Sequence, residues 1–96
     1  MTITKTINGN EAVLAFEGWL DTQAAPEMRA EVESLGEDIT SLVIDFENLE
    51  YISSSGIREV VAAYKKMKGE LKVKNASAGI MSIFQATGID KKITFE

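Results

Sequence analysis

The run Ser41–Phe46 (SLVIDF) is short and nearly continuously apolar. A half-solvated strand alternates polar and apolar residues; this run does not, so it reads as a strand buried on both faces. Such a strand belongs inside a parallel sheet, and parallel neighbours need a long covering connection, usually a helix. The flanking sequence supplies one on each side. Across Thr22–Leu35, Met28, Val32 and Leu35 recur at i, i+4, i+7 and charges take the other face. Pro26 fits the first turn of that helix, where its missing N–H matters least, and Gly36 stops it. From Ser54 or Ser55 to Lys68, Ile57, Val60, Val61 and Tyr64 form one apolar stripe.

The remaining elements follow the same logic. Ile3 and Ile7 lie in a Thr/Lys-rich alternation, Asn8-Gly9-Asn10 makes a tight turn, and Ala12–Phe16 returns as a second strand. Gly18-Trp19-Leu20-Asp21 ends that strand. After Gly69, Leu71–Lys74 reads as a strand, and Ser77 caps a third helix that turns Ile80 and Phe84 to the core. Gly88 supplies a left-handed C-terminal residue, Ile89 folds back on Phe84, and Lys92–Phe95 is a last short strand. The expected order is β-β-α-β-α-β-α-β over one domain, residues 1–96. That is an α/β fold with one mixed sheet, right-handed crossovers and helices packed mainly on one face.

Composition narrows the chemistry. There is no histidine and no cysteine. This removes the Ser-His-Asp arrangement, thiolate chemistry and the commonest zinc ligands. A net charge of -5 argues against nucleic acid and anionic lipid as partners. No stretch approaches the roughly 20 apolar residues of a membrane span, and the first residues lack the features of a signal peptide. The chain therefore reads as soluble and cytoplasmic, without membrane insertion. Its acidic surface and short edge strands lead us to expect a monomer in isolation.

The segment Asp45–Arg58 (DFENLEYISSSGIR) concentrates the functional signal. It reads as the end of a buried strand, a short acidic loop, and three serines that lead into a helix. Groups just beyond strand C-termini are where open α/β folds gather function. The helix start offers free N–H groups and partial positive charge, which tolerate an added phosphate. Read alone, the serine run is first of all a helix cap.

This segment resembles the signature of the STAS domain of bacterial anti-sigma-factor antagonists, in which Asp-Ser-Ser/Thr/Ala-Gly-Leu opens a helix after a buried strand. Ser53 takes the Asp position, Ser54 the phosphoacceptor, Ser55 the next small hydroxyl, Gly56 the glycine and Ile57 the leucine. Gly18-Trp19-Leu20-Asp21 resembles the family's Gly-x-Leu-Asp corner, Gly69-Glu70-Leu71 its Gly-Gly-x-Leu segment, and Thr87-Gly88-Ile89 its Thr/Ser-Gly-Leu ending. The resemblance implies a STAS-like fold and a switch. The unmodified protein binds a kinase-type anti-sigma factor and frees a sigma factor; phosphorylation on serine by that partner ends binding; a phosphatase resets it. Ser53 departs from the family's Asp and removes a carboxylate beside the acceptor. The family also includes scaffolds of stress-signalling complexes and subunits of transport systems, which stand as the alternative.

Other residues carry two readings each. Trp19 either packs under the first helix or, exposed beside Asp21, anchors an interface. Arg58 and Ala62 lie on the helix face opposite the apolar stripe, either simply solvated or open to a partner that the small Ala62 lets approach. Asp45, Glu47 and Glu50 lack the spacing of a metal loop and read as a solvated acidic turn, so no metal or cofactor is expected. Lys65-Lys66 and Lys91-Lys92 read as solubilising pairs. Lys65 is about 15 Å from Ser54 along a helix rising ~1.5 Å per residue, too far for the ~3 Å of proton transfer, so we expect no enzyme.

Overall fold

The computed structural model describes all residues, 1–96. Five strands and three helices alternate as expected: β1 (Thr2–Asn8), β2 (Glu11–Leu20), α1 (Ala25–Glu33), β3 (Ser41–Ile52), α2 (Ser54–Lys66), β4 (Leu71–Lys74), α3 (Ala78–Thr87) and β5 (Thr94–Phe95), with a 3-10 turn at Ile89–Lys91 before β5. The sheet order is β1-β2-β3-β4-β5. β1 and β2 form an antiparallel hairpin through Gly9, whose φ of 61° suits the tight turn. The other three pairings are parallel.

Each crossover steps one strand in the same direction across the sheet. Right-handed connections then put all three helices on one face. Strand alternation sends Leu14, Phe16, Ile44, Phe46 and Val73 to that face, where they meet Met28, Val60 and Phe84 from the three helices. The aromatic members touch in sequence. Phe16 and Phe46 sit edge-on at 5.4 Å, Phe46 and Phe84 stack at 6.5 Å, and Phe84 meets Phe95 at 5.1 Å. Full burial of one such ring contributes about 1.5–3 kcal/mol, so these contacts anchor α3 and β5 to the centre of the sheet.

One strand departs from expectation. β3 is not a six-residue strand followed by a loop. It runs twelve residues to Ile52, and the acidic stretch Glu47–Tyr51 stays paired with β2 through two register shifts, Glu17 opposite Asn48 and Trp19 opposite Tyr51. An extra residue on the β3 side absorbs each shift, which breaks the apolar pattern without breaking the pairing. The face of β3 away from the helices carries no second layer, in keeping with helices on one face only; Val43 is nevertheless buried there, between the half-buried Val13 and the exposed Lys72 of the neighbouring strands.

Edges and helix ends complete the frame. β5 is two residues long, but β1 presents seven, so only one edge is short. Lys66 is more than a solubilising charge: its Nζ donates to the carbonyls of Val32 (2.7 Å) and Leu35 (3.3 Å), so a cation from α2 closes the C-terminus of α1. Gly88 caps α3 in the left-handed region at φ 76°.

Candidate functional site

The site forms where β2 and β3 end together and α2 begins. Ser53 is the N-cap of α2. Its backbone is extended, and its Oγ accepts the Gly56 N–H at 3.2 Å. The Ser53 N–H in turn donates to the Leu20 carbonyl at 2.9 Å, which ties the helix start to the corner after β2. Across the same junction Thr22 Oγ1 and Ser55 Oγ lie 3.4 Å apart. Asp21 is half-buried at the corner, where its Oδ1 accepts the Ala24 N–H at 2.9 Å, ahead of α1.

Gly56 makes this junction possible. A Cβ built there would lie 2.8 Å from both the Leu20 carbonyl oxygen and Leu20 Cγ, and 2.9 Å from Ile52 Cγ1. A backbone oxygen cannot move aside as a flexible side chain does, so only glycine permits this approach of α2 to β2. The glycine thus fixes where the serine hydroxyls stand.

The three hydroxyls divide the work. Ser53 caps, Ser55 meets Thr22, and Ser54, the first helical residue, is exposed with its Oγ unengaged. No group in the chain accepts the N–H of Ser54 or Ser55, as expected for the first turn of a helix. One turn further, Arg58 is exposed and forms no ion pair; Ala62, after another turn, is exposed too. Ser54, Arg58 and Ala62, spaced four residues apart, therefore share one outward stripe of α2.

Trp19 is outside the core, 57% exposed. It leans on Tyr51, itself 41% exposed, with ring centroids 5.2 Å apart and planes tilted 39°. Sequence reasoning missed Tyr51 because it placed that residue in a loop; the available signal was an aromatic next to the inward-facing Ile52. It also missed the link between the two helices behind the site. Arg29 of α1 grips Glu59 of α2 with three hydrogen bonds, the shortest 2.6 Å. Those hydrogen bonds, and then the Glu59 charge, hold the Arg29 guanidinium above its ordinary pKa. Glu59 is nearly buried, between Ile57 and Val60 of the apolar stripe; a carboxylate in that position was the clue that a base must face it.

Asp45 is structural. Its Oδ1 accepts from the Asn75 side chain and from the Glu47 N–H, both at 3.0 Å. No group of three carboxylates has the geometry of a metal site. No helix is long and apolar enough to cross a membrane.

The family model described as the STAS domain matches residues 2–96. The anti-sigma-B factor antagonist of Bacillus subtilis (strain 168) is 29% identical over 85 residues, which span 85% of this chain and 78% of that protein. Among solved structures, an anti-sigma factor antagonist from Mycobacterium paratuberculosis superposes with a TM-score of 0.87 at 24% identity, over 98% of this chain and 83% of its own. The Bacillus cell fate determinant SpoIIAA in its phosphorylated form gives 0.78 at 21% identity, over 99% and 91%.

Proposed function

Because the chain belongs to the STAS domain family, we propose that it is an anti-sigma-factor antagonist, a regulatory binding protein and not an enzyme, switched by phosphate on Ser54. It binds a kinase-type anti-sigma factor in the cytoplasm and so releases a sigma factor; that partner phosphorylates Ser54, and a phosphatase removes the phosphate. Residues 1–96 act as one STAS domain. The docking surface comprises Trp19, Asp21, Arg58 and Ala62 around Ser54, with Ser53, Ser55 and Gly56 as the frame of the phosphosite. The free chain is a monomer: the outer edge of β5 is too short to recruit a strand from another chain, and Lys5 puts a charge in the middle of the longer edge β1.

One observation carries this reading: the Ser54 hydroxyl is exposed and unengaged at the mouth of α2, beside two free N–H groups. A phosphate there would bring about -1.5 to -2 charges against a helix N-terminus, which accepts them within the free protein. Buried in an interface without a cationic partner, the same dianion costs several kcal/mol. The modification thus acts on binding rather than folding. Ser53 supports this despite departing from the family's Asp, since its hydroxyl performs the capping that position requires.

The test is incubation with an ATP-binding anti-sigma factor and labelled ATP. We expect one phosphate per chain, lost in Ser54→Ala. Label that persists unchanged in Ser54→Ala would place the modification elsewhere.

A further inference from the structure

The Trp19–Tyr51 pair is the only place where two large aromatic side chains lie together in solvent. Its surroundings are acidic. Glu17 is two residues before Trp19 on β2; Glu47 and Glu50 precede Tyr51 on β3. All three carboxylates are exposed, and none forms an ion pair. No base of the chain lies within ion-pair distance of them. Residues 1–57 hold eleven of the fifteen carboxylates but only Lys5 and Arg29 among the ten bases. Lys5 is bound to Glu31 and Arg29 to Glu59.

We infer that Trp19 and Tyr51, with Glu17 and Glu50, form a seat for an arginine side chain presented by the protein partner. This deepens the antagonist reading and rests on it. A guanidinium is planar, stacks on aromatic faces and is weakly hydrated, so it suits a tilted, exposed aromatic pair flanked along both strands by carboxylates better than an ammonium does. The carboxylates add a field that draws cations toward the rings. The seat lies on the same end of the sheet as Ser54, because the corner that follows Trp19 is hydrogen-bonded to the start of α2. A partner that reaches one is therefore positioned to reach the other.

Trp19 is the sole tryptophan, so its emission reports this seat directly. The full chain is titrated with the capped peptide Gly-Arg-Gly-Arg-Gly and with its lysine and citrulline counterparts. We expect a saturable emission change with arginine, a weaker one with lysine and none with the uncharged citrulline. Tyr51→Ala, and separately Glu17→Gln with Glu50→Gln, each weaken arginine binding about two- to fivefold, the scale of an exposed cation–π contact. An equal response to citrulline, or arginine binding that neither variant moves, overturns the inference. A second arm measures capture of an ATP-binding anti-sigma factor. Capture lost in Ser54→Asp but untouched by Tyr51→Ala and by the glutamine pair overturns the seat and leaves the antagonist reading standing. Arginine-peptide binding that responds to both variants, without capture of any such factor, supports the seat and counts against the antagonist reading.

Discussion

Helices α2 and α3 both begin where a parallel strand ends, and both are capped by serine. Ser53 Oγ takes the Gly56 N–H and Ser77 Oγ takes the Ile80 N–H, each at 3.2 Å from an extended cap residue. Beyond the cap they diverge. The first turn of α2 carries hydroxyls at Ser54 and Ser55 and is pressed onto the Leu20 corner through Gly56. The first turn of α3 reads Ala78-Gly79-Ile80, and around Gly79 only the Ser77 hydroxyl lies within reach of an added Cβ, at 3.9 Å. A capped helix start therefore does not make a site. What sets α2 apart is a free hydroxyl held in a fixed place by close backbone docking.

Adding one methyl group to each glycine breaks this comparison most strongly. Gly56→Ala must push α2 away from the Leu20 carbonyl, and we expect a loss of about 3 kcal/mol, at the upper end for overpacking. Gly79→Ala meets open space in a helix and should gain about 0.5–1 kcal/mol. Urea denaturation of both variants checks this. Equal effects would mean that the tight junction at Gly56 is not a real constraint.

The same junction shows what could be read from the chain. The SLVIDF run and the helical stripes dictated the element order, because each is a strong periodic pattern set by burial. The capping serines were legible, since their chemistry is local. The continuation of β3 through Glu47–Tyr51 was not, because pairing with β2 across two register shifts is a property of both strands and leaves no alternation in either alone. The Trp19–Tyr51 contact was hidden for that reason. The bond from Lys66 to the end of α1 was hidden by distance in sequence, thirty-four residues from Val32.

Charge at the two helix starts gives the next largest contrast. Ser54→Asp and Ala78→Asp both place a carboxylate at a first helical position, where it stabilises by about 0.3–1 kcal/mol. Both variants should therefore melt at or slightly above the temperature of the parent chain. Only Ser54→Asp should weaken capture of an anti-sigma factor, by about tenfold or more, since only there does the charge enter the proposed interface. A similar loss in Ala78→Asp, measured by titration calorimetry, would point to overall charge rather than the site.

The smallest effect tests whether the caps are equivalent. Removing either hydroxyl, as Ser53→Ala or Ser77→Ala, frees one N–H and should cost about 1 kcal/mol. The two need not match in consequence. At Ser77 the loss stays away from the site, because the turn that follows carries no hydroxyl, and its buried Ile80 packs into the core rather than onto the Leu20 corner. At Ser53 the residue also donates its N–H to Leu20, and Ser54 and Ser55 follow directly. A frayed first turn there would release the Ser54 hydroxyl from its fixed position. Ser53→Ala should therefore slow phosphorylation of Ser54 while Ser77→Ala leaves it unchanged, although both melt alike. Equal phosphorylation rates in the two variants would show that presentation of Ser54 depends on the Gly56 docking alone and not on the cap.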